Sequence, residues 1–184
     1  MDKESIVLGS GKLYITEFND GDELPANDVV EKETNLLGYI TGGATIEYTP
    51  TYFEAKDDLG KVSKVVLTEE VAVLKSGLIT WCGETLEKIC STARVTTSGN
   101  SRIVKIGGVA NQNRKKYFIH FVHEDAEDGD IRVSIVGNNQ AGISFAFAKD
   151  AATQVDVEFK ARPMDKEGTL IYYEEEIDPD VESA

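Results

Sequence analysis

The sequence predicts a mainly β protein, an antiparallel β-sandwich or barrel with one short α-helix that covers the sheet. Three observations lead to this prediction. Apolar and polar residues alternate with a period of two in segment after segment, which is typical of half-buried strands. Turn residues such as Gly42-Gly43 and Asp128-Gly129 stand between those segments at short spacing, which favours successive hairpins. Only one stretch of the chain has helical spacing instead.

The alternation begins at Lys12–Phe18, where Leu13 and Ile15 share one face of the expected strand. It returns at 44–48 and 65–73. The same pattern then recurs in the segments 102–106, 115–122, 130–136, 142–148, 154–160 and 169–173. The chain of 184 residues is within the size range of one domain and shows no internal repeat. We therefore expect a single domain over residues 1–184.

The one helical stretch is predicted at residues 83–91, where Glu84 and Glu87 are good helix formers. Its apolar side chains fall on one face, at Cys82, Leu86, Ile89 and Cys90, so the helix should cover the sheet. Eight helical residues separate the two cysteines by about 12 Å, which is beyond disulfide reach. We expect two buried free thiols, with Trp81 as an aromatic anchor in the core.

Two polar segments, 19–34 and 49–61, are predicted to be irregular. The second is expected to be a loop that exposes Tyr52 and Phe53. A long loop with aromatic residues in a compact domain is usually functional. The alternative, that both aromatic side chains fold back onto their own domain, stays open.

The charge is strongly negative and unevenly distributed. The formal net charge is −14, whereas a protein that binds phosphate backbones normally carries the opposite sign. Yet residues 88–116 contain seven basic residues and no acid. Such segregation suits head-to-tail contact between copies, in which the basic patch of one meets the acidic surface of the next. A scatter of solvated surface charges is the alternative.

Sites for metal or catalysis are not evident in the sequence. His120 and His123 lie three positions apart on one expected strand, so their side chains should point to opposite faces. The acidic turn at 125–130 has Gly129 where a calcium loop needs Asp or Asn. No Ser or Cys is placed beside a histidine with an orienting acid. We expect no enzyme activity, no cofactor and no metal.

No apolar run approaches the roughly 20 residues that cross a bilayer, and the N-terminus has no secretory signal pattern. We therefore expect no membrane insertion and synthesis in a cytoplasm.

Six short segments carry a combined pattern: GSGKLYI at 9–15, LGYITGGATIEY at 37–48, KDDLGK at 56–61, ETLE at 84–87, VDVEFKA at 155–161 and DKEGTL at 165–170. Together they span nearly the whole chain and resemble the tail tube proteins of long-tailed bacteriophages. The resemblance implies an antiparallel β-sandwich or half-barrel with one short flanking α-helix. It also implies six copies in a ring, with inner strands that close a barrel, and rings stacked into the hollow tube of the virion tail. DNA would pass through that tube during ejection. The implied partners are further copies of the chain, the tape measure protein, and the tail terminator and baseplate proteins.

The same resemblance implies which parts make contacts between rings. They are an N-terminal arm at 1–10, a stacking loop at 49–61 and an acidic C-terminal arm at 174–184. The expected contact residues are Tyr52, Phe53, Lys56, Asp57, Asp58 and Lys61 in the loop, and Arg102, Lys105 and Arg114 in the basic segment. Basic side chains would hinder a sliding polyanion, so we expect Arg102, Lys105 and Arg114 outside the channel.

Three alternatives stay open. One is the tube subunit of a contractile tail, a tail-like bacteriocin or a type VI secretion apparatus. A second, of a different class, is a monomeric β-sandwich module that binds carbohydrate and would show an exposed aromatic platform. A third is a hydrolase.

Overall fold

The computed structural model describes residues 10–59, 61, 63–126, 129–145, 147, 149, 150 and 152–177. Its ten strands are β1 Lys12–Phe18, β2 Leu36–Gly38, β3 Ile40–Lys56, β4 Ser63–Leu78, β5 Arg94–Ser98, β6 Ser101–Lys105, β7 Lys116–His123, β8 Ile131–Asn139, β9 Val155–Arg162 and β10 Tyr172–Glu175. Two helices, α1 Asn27–Val30 and α2 Gly83–Ile89, and two 3₁₀ turns, Glu33–Asn35 and Val109–Asn111, complete the described elements. The prediction of a mainly β chain is confirmed. The expectation of a single helix is wrong, because α1 forms within the segment 19–34 that was predicted to be irregular, where Val30 is buried in the core.

All strand pairs in the described residues are antiparallel, as the closely spaced turn signals predicted. The main sheet has the order β2-β1-β7-β8-β9-β4-β3, and β5 and β6 form a separate two-stranded sheet. Strand β8 has two partners on one side, because β10 pairs with residues 131–134 and β9 pairs with residues 136–139. The sheet therefore diverges at β8, and β9 carries β4 and β3 away from β10.

The alternating side chains of β1 and β7 enter two separate apolar clusters. Leu13 and Ile119 belong to the cluster that also contains Phe159 and, from α2, Leu86 and Ile89. The side chains on the opposite face of these strands, such as Tyr14 and Phe118, belong to a second cluster with Val30 of α1. Because β1 and β7 are covered on both faces, they form the centre of the domain.

A partly buried polar network, centred on the buried His120, ties the segment that follows α1 to the second face of the sheet. Glu31 Oε1 accepts hydrogen bonds from Arg132 Nε at 2.7 Å and from His120 Nε2 at 3.1 Å. His120 Nδ1 lies 2.7 Å from the Ser134 hydroxyl, and Arg132 Nη2 lies 2.9 Å from Asp130 Oδ2. Since Nε2–H donates to the carboxylate, the Ser134 hydroxyl can donate to Nδ1 of a neutral imidazole.

The surroundings of this network shift two pKa values. Partial burial acts to raise the pKa of Glu31, but the hydrogen bonds from Arg132 and His120 outweigh it and hold that pKa below its ordinary value. Burial has the largest effect on the pKa of His120 and lowers it. The folded state therefore favours an ionised Glu31 and a neutral His120.

The predicted helix is confirmed as α2, although it ends at Ile89 rather than at residue 91. Its cysteines are free, as expected, but the expectation that both are buried is wrong because Cys82 is exposed. Cys82 precedes the first helical turn, and its Sγ lies 3.7 Å from Thr85 Oγ1 at the helix start instead of facing the core. Trp81 is half-buried and packs against the first cluster, as expected of an anchor.

Three other expectations about elements need correction. The segment 142–148 alternates but forms no strand at its described residues; the ring of Phe145 instead contacts that of Trp81. The expected C-terminal arm at 174–184 begins inside β10, where Glu174 pairs with Arg132, and residues 178–184 lie outside the described residues. Of the N-terminal arm at 1–10, only Ser10 is described.

Candidate functional site

The segment predicted as a stacking loop at 49–61 is for the most part a strand. Strand β3 continues to Lys56 and pairs with β4 along its whole length, so the loop prediction is wrong for residues 49–56. Beyond Val73, which pairs with Lys160 of β9, β3 is the only strand among the described elements that pairs with β4. The described strand residues 51–56 and 63–70 are all exposed, and we call this two-stranded extension the arm.

The arm projects about 20 Å, because strands rise about 3.3 Å per residue. A two-stranded ribbon with no third element is at best marginally stable in water. Both faces of this ribbon are nonetheless apolar. Tyr52 lies opposite Leu67 on one face and Phe53 lies opposite Val66 on the other. The exposed fractions of Tyr52 and Phe53 are 60% and 61%, so neither folds back onto its own domain.

A β-bulge sets this arrangement. The register shifts between Thr51 and Tyr52 and leaves Thr68 without a directly opposite partner; its hydroxyl donates to the Thr51 carbonyl at 3.1 Å. Without the extra residue, Tyr52 would lie opposite Thr68, and Val66 would lie opposite Glu54. The bulge therefore gives Tyr52 an apolar neighbour in Leu67 and places Phe53 opposite Val66.

The charged residues expected at the loop lie at the far end of the arm. Lys56 forms an ion pair with Glu54 at 3.0 Å. Asp57 and Asp58 follow the end of β3, and Lys61 precedes β4; all three are exposed. Strand pairing rather than a loop thus places the six predicted residues on one hairpin: Tyr52, Phe53, Lys56, Asp57, Asp58 and Lys61.

The basic residues predicted as contacts do not share one surface. Arg102 is on the side of the β5–β6 hairpin that faces α2, where its Nη2 lies 2.9 Å from Glu84 Oε1. Lys105 is on the opposite side of that hairpin, directly across from Arg94. Arg114 stands before β7 with a positive φ of 55°. The turn residues Gly99-Asn100 could have revealed this hairpin and its alternating faces.

A second exposed aromatic feature was missed by the sequence analysis, which placed two of its members in a strand. The ring centroids of Trp81 and Phe145 are 4.9 Å apart, and those of Phe145 and Phe147 are 6.3 Å apart. Phe147 is 80% exposed. We call Trp81, Phe145 and Phe147 the aromatic row.

Two adjoining open clefts, of about 410 and 400 Å³, lie at the root of the arm. They are lined by residues of β4, including Glu69 and Glu70, by Tyr48 of β3, by residues 161–163 at the end of β9, and by residues 167–171. Neither lining contains a histidine or a cysteine. In the described part of the chain, no three His, Cys, Asp or Glu side chains are grouped so that they could hold a metal ion.

The two histidines have different surroundings. His120 is part of the polar network, whereas His123 Nδ1 lies 2.9 Å from the Ser10 carbonyl and its Nε2 has no partner among the described residues.

No protein-family model matches this chain, and no curated protein sequence shows significant similarity to it. Within the described residues, no helix is both long enough and apolar enough to span a membrane.

Proposed function

We propose that the chain is a structural protein that assembles with copies of itself into stacked rings, as the subunit of a bacteriophage tail tube that conducts DNA during ejection. The arm is the observation on which this proposal rests. An exposed ribbon with Tyr52 and Phe53 on opposite faces leaves a large apolar surface in water, and such surfaces mark interaction sites.

The sheet supports contact with further copies rather than with a small ligand. Strand β3, of 17 residues, is the end strand of the main sheet, so one edge of its backbone has no strand beside it among the described elements. Natural proteins normally shorten or cover such an edge. In the proposed ring, each half-barrel places its edge strands beside those of its neighbours, so that the inner strands of six copies close one barrel.

The net charge of −14 supports the proposed role as the wall of a DNA conduit. A channel that carries DNA must not bind phosphates, and acidic walls repel a polyanion where basic walls would retain it.

The proposal is tested by negative-stain microscopy and light scattering of the purified protein at raised concentration. We expect rings or tubes of uniform diameter. The double variant Tyr52→Asp/Phe53→Asp should remain monomeric, because it places charge on both faces of the arm. Val29→Asp is the matched control, since Val29 is 48% exposed on α1, away from the arm. A wild-type protein that stays monomeric at every concentration would overturn the proposal.

The aromatic row favours a second candidate, a carbohydrate-binding module, because sugar rings stack on exposed aromatic side chains. Glycan binding that quenches the fluorescence of Trp81 and disappears in Phe147→Ala, by a protein that stays monomeric, would support this candidate against the first.

A further inference from the structure

The outer face of the β5–β6 hairpin carries two cations side by side. Arg94 and Lys105 are directly opposite each other in the register, so their Cβ atoms are about 5 Å apart. Like charges in this position destabilise a ribbon. No acidic residue occurs between residues 88 and 116 to offset them, and among the described residues neither side chain has an ion-pair partner. The Arg94 guanidinium donates only to the Gly107 carbonyl, at 3.3 Å.

The same face continues with apolar and then hydroxyl side chains. Ile103, which is 42% exposed, lies opposite Thr96 two positions along from the cations. Ser101 lies opposite Ser98 two positions further. We call this surface, formed by Arg94, Lys105, Thr96, Ile103, Ser98 and Ser101, the basic patch. All six residues are exposed, whereas Val104 on the other side of the hairpin packs against the core.

The arm carries a complementary sequence of side chains on the face that contains Phe53. Near the root, Glu69 lies opposite Thr51. Two residue pairs further along the ribbon, Val66 lies opposite Phe53, and after two more pairs Lys64 lies opposite Ala55. Glu69 has no ion-pair partner among the described residues. Two residue pairs correspond to about 7 Å along both ribbons. The acidic group of the arm therefore matches the cations of the patch, and the apolar groups of the arm match the apolar group of the patch. The basic group of the arm matches the hydroxyl groups.

We infer that the Phe53 face of the arm binds the basic patch of a second copy of this chain. Glu69 would lie against Arg94 and Lys105, and Phe53 with Val66 would cover Ile103. Within one chain the contact is not made, since Phe53 and Ile103 are both exposed. The inference rests on the proposed function and specifies its interface.

The contact joins two different surfaces and is therefore heterologous. Such a contact repeats from copy to copy and closes into a ring or continues as a helix, whereas a contact between identical patches ends at a dimer. The order of charged and apolar groups also fixes the direction in which the arm lies on the basic patch. In the reversed direction, Lys64 would lie against Arg94 and Lys105 and be repelled.

The test is a charge exchange between Glu69 and Lys105. Glu69→Lys and Lys105→Glu should each raise the concentration at which assemblies form by at least about fivefold, since each removes an ion pair and creates a repulsion. The double variant Glu69→Lys/Lys105→Glu should recover much of the loss. Glu23→Lys and Lys166→Glu, on other exposed loops, make the same changes in net charge and should assemble like the wild type.

The outcomes separate this inference from the proposed function. If the wild type assembles and both single variants assemble at the same concentration, the interface is wrong and self-assembly stands. If the wild type never assembles, both proposals fail. If a short DNA duplex binds the wild type and Lys105→Glu abolishes that binding without changing assembly, the patch serves nucleic acid and the inference is overturned.

Discussion

Removal of the arm should abolish assembly and leave the domain folded. Pro50 and Glu70 lie opposite each other at the root of the arm, so an Asn-Gly turn can join them in place of residues 51–69. The core contacts of this hairpin, through Ile46 and Leu74, are on the retained side of that turn. Because the deleted strand residues are exposed, the free energy of unfolding of the monomer should change by less than about 1 kcal/mol.

The effect on assembly should be much larger. Five large apolar side chains of the arm keep between 42% and 61% of their surface exposed: Tyr52, Phe53, Val65, Val66 and Leu67. Full burial of such a side chain stabilises by about 1.5–3 kcal/mol, so burial of the exposed part contributes about 1 kcal/mol each and about 5 kcal/mol per arm. Loss of that amount weakens association by a factor between about 10³ and 10⁴.

Urea denaturation followed by circular dichroism measures the first effect, and sedimentation velocity over a range of concentrations measures the second. If the arm-deleted protein assembles at the wild-type concentration, the arm is not the interface. If it instead unfolds at much lower urea concentration, the arm stabilises its own domain and the reasoning from its exposure is refuted.

Two further predictions concern the domain itself. Gly137→Ala places a Cβ about 2.1 Å from the Lys160 carbonyl oxygen in β9, so it should lower the free energy of unfolding by at least about 2 kcal/mol. At Gly142, which has a φ of 79°, an added Cβ meets no neighbouring atom, so Gly142→Ala should cost only about 1 kcal/mol. Urea denaturation measures both changes. The melting temperature should fall as the pH drops below about 6.5, where His120 binds a proton in the unfolded chain, and again below about 4.5, where Glu31 does. Folding lowers both pKa values, so the stability that the two groups contribute is present at neutral pH and is lost towards acid. Glu31→Gln should flatten the second step of the pH profile. A profile unchanged by this substitution would contradict the role of the network.

The central strands could be predicted from the sequence because their signal is local. The alternation of β1 places Leu13 and Ile15 on one face, and both are buried there in the structure. The short helix α2 was predictable for the same reason, since its apolar residues recur at helical spacing within a single segment.

The arm could not be predicted in this way, because residues 49–56 have no strand alternation of their own and become a strand only by pairing with β4, the next strand of the chain. Pro50 and the charges that follow it have the local signature of a loop, and a proline is tolerated there only because β3 is an end strand. The bulge at Thr68 has no local signature either, and it decides which face each apolar side chain occupies. The converse error occurred at Phe145 and Phe147, which alternate like a strand but contact each other and Trp81 instead of pairing with a strand.

The charges of the chain oppose indiscriminate association through the exposed arm. Glu54, Glu69 and Glu70 interrupt the apolar residues of the arm, as charges do where natural proteins protect exposed edges. The net charge of −14 also repels any two copies at long range, and the repulsion falls off over about 10 Å at 0.1 M salt. At shorter range the proposed contact between Glu69 and the cations Arg94 and Lys105 is attractive. Repulsion at a distance and attraction in one orientation together favour ordered stacking over random aggregation.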